Sequence, residues 1–147
     1  MSDAAGRPAP RSLTAPAVAL AAVGAATAYV AEVDPNRPGH YPTCPFLLVT
    51  GWWCPACGGL RCVNELTRGD LSAALHDNVL VVVSVVLATA LWVRWTYRAA
   101  HGRRSPVPGL SRRWLWGLIA VLVAFTVLRN LPSGSFLAPP SVPLSQL

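Results

Sequence analysis

Lysine is absent from this 147-residue chain, and charged residues of every kind make up only 12% of it. A soluble domain usually carries about a quarter charged residues, so the chain has roughly half of the usual charge. A disordered polyelectrolyte is excluded, because 53% of the residues are hydrophobic. The twelve basic residues are all arginine and outnumber six acidic ones. This balance argues against an ordinary soluble enzyme and indicates one small domain in a membrane.

The hydrophobic residues lie in three blocks, 12–31, 78–93 and 114–128. The first block is long enough, as a helix, to cross a hydrocarbon core of about 30 Å. The other two are short for a span, but amphipathic or aromatic flanks can extend each helix to the membrane interface. We therefore predict an all-α, multi-pass membrane protein with about three transmembrane helices and a short interfacial helical hairpin that carries the cysteines.

The predicted domain organisation follows from these blocks. A membrane domain extends over 12–132, between flexible tails rich in Pro, Ser and Ala at 1–11 and 133–147. The cysteine segment, residues 40–70, connects the first two spans. The predicted spans lie at about 13–33, 75–97 and 112–131.

The first block has a second interpretation as a secretory signal peptide. Arg7 and Arg11 precede an apolar stretch, and Ala26-Thr27-Ala28 has the pattern of a cleavage site. We favour a retained helix because the apolar stretch is long for a signal peptide. The sequence leaves open whether residues 1–28 are cleaved as a signal peptide.

The arginines predict an orientation. Six arginines and no acidic residue lie between Arg94 and Arg113, and Arg7 and Arg11 lie in the N-terminal tail. Both stretches fall on the same side of a three-span protein, and positive residues prefer the cytoplasmic side. We expect the N-terminus and the arginine loop on the cytoplasmic side of the cell membrane, and residues 32–77 on the outer side. Because two apolar spans flank the loop, we expect its partner to be the lipid bilayer and not nucleic acid.

All four cysteines, Cys44, Cys54, Cys57 and Cys62, lie in the cysteine segment. Apolar residues after Gly59 predict a short helix that ends at Gly69. Asp70 is then expected to be the N-cap of the helix that enters the second block.

Several short motifs follow one another along the chain: Cys44-Pro45, Thr50-Gly51, Cys54-Pro55-Ala56-Cys57-Gly58, Arg61, Gly69-Asp70, Asn78 and Arg129-Asn130-Leu131-Pro132. Their order resembles the bacterial family called domain of unknown function 2752. The resemblance covers about residues 40–132, and it implies a small multi-pass bacterial membrane protein without an established activity. Two positions depart from the family pattern: Leu60 replaces a common Thr, and Val79 replaces the Pro after Asn78. Without that proline, we expect the helix to continue unbroken into the second block.

Two interpretations of the cysteines involve disulfide chemistry. A bridge between Cys54 and Cys57, or from Cys44 to either of them, would cross-link a segment that has little core of its own. Alternatively, Cys54 and Cys57 could exchange thiols and disulfides, since a Cys-x-x-Cys pair at a helix start can have a lowered thiol pKa.

Metal binding is the third interpretation. Two cysteines separated by two residues are a common half-site for tetrahedral zinc. Cys44 would be the third ligand beside Cys54 and Cys57. The candidates for a fourth ligand are Cys62, His40 and His76.

Polar residues close to the spans are the remaining candidates for a site. Charges near a bilayer are usually paired or directed inwards, so we expect Arg129 to form an ion pair with Asp77 or Asp70. The alternative is that its side chain extends to lipid phosphate. The polar residues that match the family pattern are Arg61, Asp70, Asn78 and Arg129.

We therefore expect a small structural or interaction subunit, rather than an enzyme, with a disulfide- or metal-held cysteine segment on the outer side. The alternatives are a membrane thiol–disulfide oxidoreductase that uses Cys54 and Cys57, and a zinc-binding small transporter subunit. The expected partners are the lipid bilayer and other subunits, in a homo- or hetero-oligomer formed through the membrane helices. Zinc is the expected cofactor if the cysteines bind a metal.

Overall fold

The structure is a computed structural model that describes residues 13–37, 39–103 and 111–137. The described residues are all-helical and contain no strand, as predicted. The predicted tail 1–11, the end of the predicted C-terminal tail and Arg104 lie outside the described residues. The helices are α1 (Thr14–Glu32), α2 (Pro45–Thr50), α3 (Gly59–Thr67), α4 (Leu71–Ala100), α5 (Arg112–Asn130) and a 3₁₀ helix (Pro132–Leu137).

Three of the described helices, α1, α4 and α5, are long and apolar enough to cross a membrane. They contain 19, 30 and 19 residues. At about 1.5 Å per residue, even 19 residues approach the thickness of a hydrocarbon core. Most of their apolar side chains are exposed, which suits contact with lipid. The predicted number of candidate spans is confirmed.

The cysteine segment contacts the end of α1, the start of α4 and the end of α5. The indole N–H of Trp92, late in α4, donates to the Pro16 carbonyl at the start of α1, so these two helices run antiparallel. At the other end of α1, the Asn64 amide in α3 donates to the Val30 carbonyl at 2.8 Å. That bond satisfies one of the last carbonyls of α1, which have no partner within the helix.

Helix α3 connects the cysteine segment to α4, and it ends as the sequence predicts. Its last residue is Thr67, and Gly69 has the positive φ of 79° that a tight helix exit requires. The Asp70 carboxylate then accepts a hydrogen bond from the Ala73 N–H at 2.9 Å. The predicted N-cap of α4 is therefore confirmed.

Helix α4 does not continue unbroken through Asn78, so that expectation is wrong. The Asn78 backbone is extended, with φ −164° and ψ 97°, and divides α4 into a short first part and a long apolar part. The Asn78 Oδ1 accepts a hydrogen bond from the Val81 N–H at 3.2 Å, as an N-cap does. An asparagine that caps a new helix start can thus break the helix without a proline.

Candidate metal centre

Cys44 is placed by the start of α2. It is the N-cap residue of this helix, and Pro45, at the first helical position, favours helix initiation there. Gly51 ends α2 in the left-handed conformation, with φ 72°. The chain therefore reverses direction shortly after Cys44 and returns towards it at Cys54.

Cys54 and Cys57 are placed by a tight turn, here called the CPAC turn (residues 54–57). The Cys57 N–H donates to the Cys54 carbonyl at 3.1 Å, which closes the turn. Gly58 follows with φ 81° and is the N-cap of α3. The two thiols consequently lie on one side of the turn, directly before α3 begins.

The sulfur atoms of Cys44, Cys54 and Cys57 form a compact group, here called the thiol cluster. The Sγ atoms of Cys44 and Cys54 are 3.5 Å apart, and those of Cys54 and Cys57 are 2.9 Å apart. All three ligand atoms lie within 4.8 Å of one another. Cys57 is buried, while Cys44 and Cys54 are partly exposed. These three cysteines form a candidate metal site that is open on one side.

None of the three residues considered as a fourth ligand belongs to this group. Cys62 is fully buried, and its thiol donates to the Asn78 carbonyl at 3.6 Å. The His40 ring bonds to the Asp34 carbonyl at 2.9 Å through Nδ1. His76 is exposed on α4. The candidate site therefore has three protein ligands within the described residues.

Burial and mutual contacts shift the pKa values of the Cys44 and Cys57 thiols in opposite directions. Burial, reinforced by hydrogen bonds with Cys54 and Cys44, raises the pKa of Cys57 to about 12. Partial burial of Cys44 opposes ionisation, but hydrogen bonds from the Leu47 N–H and from the neighbouring thiols outweigh it, so the pKa of Cys44 is lowered. Outside the cluster, burial and the nearby Asp77 raise the pKa of Cys62 to about 11. A metal would have to displace a tightly held proton from Cys57.

Arg129 holds the CPAC turn from the end of α5. Its Nη1 donates to the Cys54 carbonyl at 2.8 Å, and its Nη2 donates to the Cys57 carbonyl at 3.2 Å. The side chain is 1% exposed. The expected ion pair with Asp77 or Asp70 is wrong, since the guanidinium contacts backbone carbonyls and forms no ion pair with either carboxylate.

The positive charge of Arg129 has no carboxylate partner in the described residues, where the ion pair present joins Arg68 to Asp34. Its buried Nε also has no hydrogen-bond partner. The guanidinium carbon lies 5.0 Å from the centre of the Phe125 ring, which contributes a modest cation–π attraction. A buried charge without a counter-ion is costly, so this arrangement favours an anion nearby.

Two asparagines complete the contacts around the CPAC turn. Asn130 pairs with the backbone of Trp53: its Oδ1 accepts from the Trp53 N–H at 2.8 Å, and its Nδ2 donates to the Trp53 carbonyl at 2.9 Å. Asn78 is fully buried, and its Nδ2 donates to the carbonyls of Pro55 at 2.9 Å and Cys57 at 3.0 Å. Side chains from α4 and α5 thus bind four carbonyls in and beside the turn.

The other polar residues of the family pattern lie outside the thiol cluster. Asp70 caps α4. Arg61 on α3 is half-buried and interacts electrostatically with Asp77 across the contact between α3 and α4. Sequence reasoning missed the roles of Asn64 and Asn130, although each is an amide next to apolar sequence, which is a signal for a buried hydrogen bond.

Comparison with known proteins gives one family. No curated protein and no solved structure matches the chain. The matched region begins at Cys44, includes the whole thiol cluster and Asn78, and ends within α4, so Arg129 lies beyond it. Residues 44–92 match the family described as Protein of unknown function (DUF2752), which confirms the resemblance for this part of the chain.

Proposed function

We propose that the thiol cluster binds one thiophilic divalent metal ion, with zinc as the first candidate, and that the metal holds the cysteine segment on the ends of the membrane helices. The chain would then be a small structural subunit with a metal-held outer segment. The observation that carries this proposal is the convergence of three sulfurs within 4.8 Å. Thiolates are preferred ligands of zinc and other soft metals.

The geometry of the cluster is close to what a tetrahedral site needs. A zinc–sulfur bond of about 2.3 Å implies about 3.8 Å between any two sulfurs. The Cys44–Cys54 distance of 3.5 Å is already near this value, and the Cys54–Cys57 distance of 2.9 Å is shorter. Small rotations of the cysteine side chains would complete the site.

The electrostatics also favour a metal centre. Three thiolates and a divalent ion carry a net charge of −1, and neutral thiols carry none. Arg129 buries a positive charge against the carbonyls of two of the three ligands. An anionic centre would therefore offset the cost of burying the guanidinium.

A thiol–disulfide oxidoreductase is supported less well. This interpretation of the sequence places the CPAC pair at a helix start, but α3 begins only at Gly59, after the whole CPAC turn. Cys57 is buried, and its pKa is raised to about 12. The short Cys54–Cys57 contact is the observation in favour of a disulfide, and the experiment below separates the two cases.

Metal and thiol analysis of protein purified without reductant tests the proposal. We expect about one equivalent of zinc per chain, loss of this zinc in Cys44→Ser, and retention in the control Cys62→Ser, because Cys62 lies outside the cluster. A chelator should lower the thermal midpoint of the wild type. Two missing thiols without metal would indicate a disulfide, and four free thiols without metal would contradict both alternatives.

Charge and connectivity are the basis for placing the cysteine segment on the outer side of the membrane. Arginines cluster between Arg94 and Arg113, at the end of α4 opposite to the cysteines. The exposed side chains of Leu48 and Val49 on α2 suit the boundary between lipid and water. These features support an outer cysteine segment and a cytoplasmic arginine loop.

Reporter fusions test this orientation. A fusion after the last residue, Leu147, should be on the outer side, so alkaline phosphatase should be active there and green fluorescent protein dark. A fusion at Gly102, in the arginine loop, should give the opposite result. Equal behaviour of the two fusion sites would mean that α5 does not cross the membrane.

A further inference from the structure

The thiol cluster offers a metal three protein ligands in the described part of the chain. The chain has four cysteines and three histidines, and all seven lie in the described residues. The group of potential ligands within 4.8 Å contains three of the cysteines and no histidine. A tetrahedral metal bound there would have these three ligands and one position that no described side chain fills.

Cys62 and the three histidines lie outside the thiol cluster. The Cys62 thiol is fully buried on the Asn78 carbonyl. The His40 ring is tied to Asp34, and the His101 ring is bonded to the Tyr97 carbonyl at the far end of α4. His76 is exposed on the first turns of α4. The partial exposure of Cys44 and Cys54, in contrast, leaves one side of the cluster accessible from outside.

Charge balance indicates the chemical class of the fourth ligand. Three thiolates and a divalent metal carry −1, which the positive charge of Arg129, the one buried cation among the described residues, matches. A fourth thiolate would make the net charge of the metal centre −2. Within the described residues, no second cation is hydrogen-bonded to the CPAC turn to match it. A neutral fourth ligand keeps the buried charges balanced.

We propose that the fourth coordination position of the thiol cluster takes a neutral donor from outside the chain, with water at rest and an imidazole nitrogen as its replacement. This inference rests on the proposed metal binding. The site would then have one exchangeable position, as catalytic zinc sites do. A purely structural zinc site, in contrast, has four protein ligands and is closed. A histidine of a partner protein has the chemistry to fill the exchangeable position.

Cobalt(II) in place of zinc makes the coordination visible. Cobalt-loaded full-length protein in detergent should show the d–d bands of a thiolate-rich tetrahedral site. Imidazole should shift these bands saturably, and 2-mercaptoethanol at the same concentration should shift them less. The variants Cys62→Ser, His40→Gln and His76→Gln should have the wild-type spectrum and the same response to imidazole.

The outcomes separate this inference from the proposed function. A changed cobalt spectrum in Cys62→Ser or in a histidine variant would identify a ligand from the chain and overturn the inference, while metal binding would stand. Bands that imidazole leaves unchanged, or that the thiol shifts more, would overturn it as well. Absence of cobalt binding, or equal binding in Cys44→Ser, would overturn the metal site itself.

Discussion

Arg129→Gln is expected to weaken zinc binding on the order of tenfold or more and to destabilise the protein. The variant removes the buried positive charge and both hydrogen bonds to the Cys54 and Cys57 carbonyls. Hydrogen bonds from charged groups each contribute about 1.5–3 kcal/mol, so losing both should lower the unfolding free energy by about 3–6 kcal/mol. Losing a positive charge beside an anionic metal centre also weakens metal binding, and an electrostatic loss of about 1.4 kcal/mol already corresponds to tenfold in affinity.

The two contributions can be separated by comparing metal-free and zinc-loaded protein. Without metal, removing Arg129 also relieves the cost of burying an uncompensated charge, so the destabilisation should be smaller than with zinc. Arg129→Lys retains the charge but cannot reach both carbonyls with a planar fork, so it should recover metal affinity more than stability. The matched control is Arg113→Gln, exposed at the other end of α5, which should change the unfolding free energy by less than about 0.5 kcal/mol.

Competition with a calibrated zinc chelator gives the affinity, and unfolding in mixed micelles gives the stability. A folded Arg129→Gln protein with wild-type zinc affinity would show that the guanidinium does not compensate the charge of the metal centre. Arg129 would then be a purely structural clamp on the turn.

The membrane helices were predictable because their signal is local and repeated. An uninterrupted apolar block predicts a spanning helix wherever it lies in the fold, and α1, α4 and α5 each coincide with most of one block. The end of α3 and the capping role of Asp70 were predictable for the same reason, since Gly69 and Asp70 act on their own helices.

The partner of Arg129 was not predictable. Sequence reasoning looks for an opposite charge, and Asp77 and Asp70 were the nearest candidates on the same side. The observed acceptors are the carbonyls of Cys54 and Cys57, and any residue type offers the same carbonyl. Which carbonyl is left without a helix or sheet partner depends on the three-dimensional path of the turn, so no residue type in the sequence marks it.

The bounds of helix α2 (Pro45–Thr50) within the predicted hairpin, and the break in α4, were missed for a different reason. Both depend on short signals that are individually weak. Pro at the first helical position and Gly51 just after the end are a usable indication of a six-residue helix, once Cys44 is considered as a cap. At Asn78, the expectation considered only the missing proline, although an asparagine that precedes an apolar run can itself begin a helix.

Asn78→Ala is expected to lower the unfolding free energy by about 2–4 kcal/mol and to loosen the thiol cluster. Its side chain caps the long part of α4 through the Val81 N–H and binds the carbonyls of Pro55 and Cys57. Loss of the cap contributes about 1 kcal/mol. A buried carbonyl left without a partner contributes about 1–3 kcal/mol, and this applies to Pro55 more than to Cys57, which also accepts from Arg129.

Two further substitutions separate the two roles of Asn78. Asn78→Ser should keep part of the cap but cannot replace both donors, so its stability should lie between those of the wild type and Asn78→Ala. Asn78→Asp keeps the acceptor for the Val81 N–H but brings a carboxylate against the Pro55 and Cys57 carbonyls. It should therefore be strongly destabilised at neutral pH and partly recovered in acid, where the protonated carboxyl can donate one hydrogen bond.

Thermal unfolding and zinc retention, measured on the same preparations, show whether the two effects are linked. Because Asn78 joins the membrane helix to the CPAC turn, the order of stabilities should also be the order of zinc affinities. Equal zinc affinity in the wild type and a destabilised Asn78→Ala would mean that the turn keeps its shape without α4. In that case the contacts of α5 alone, through Arg129 and Asn130, would be sufficient to hold the thiol cluster together.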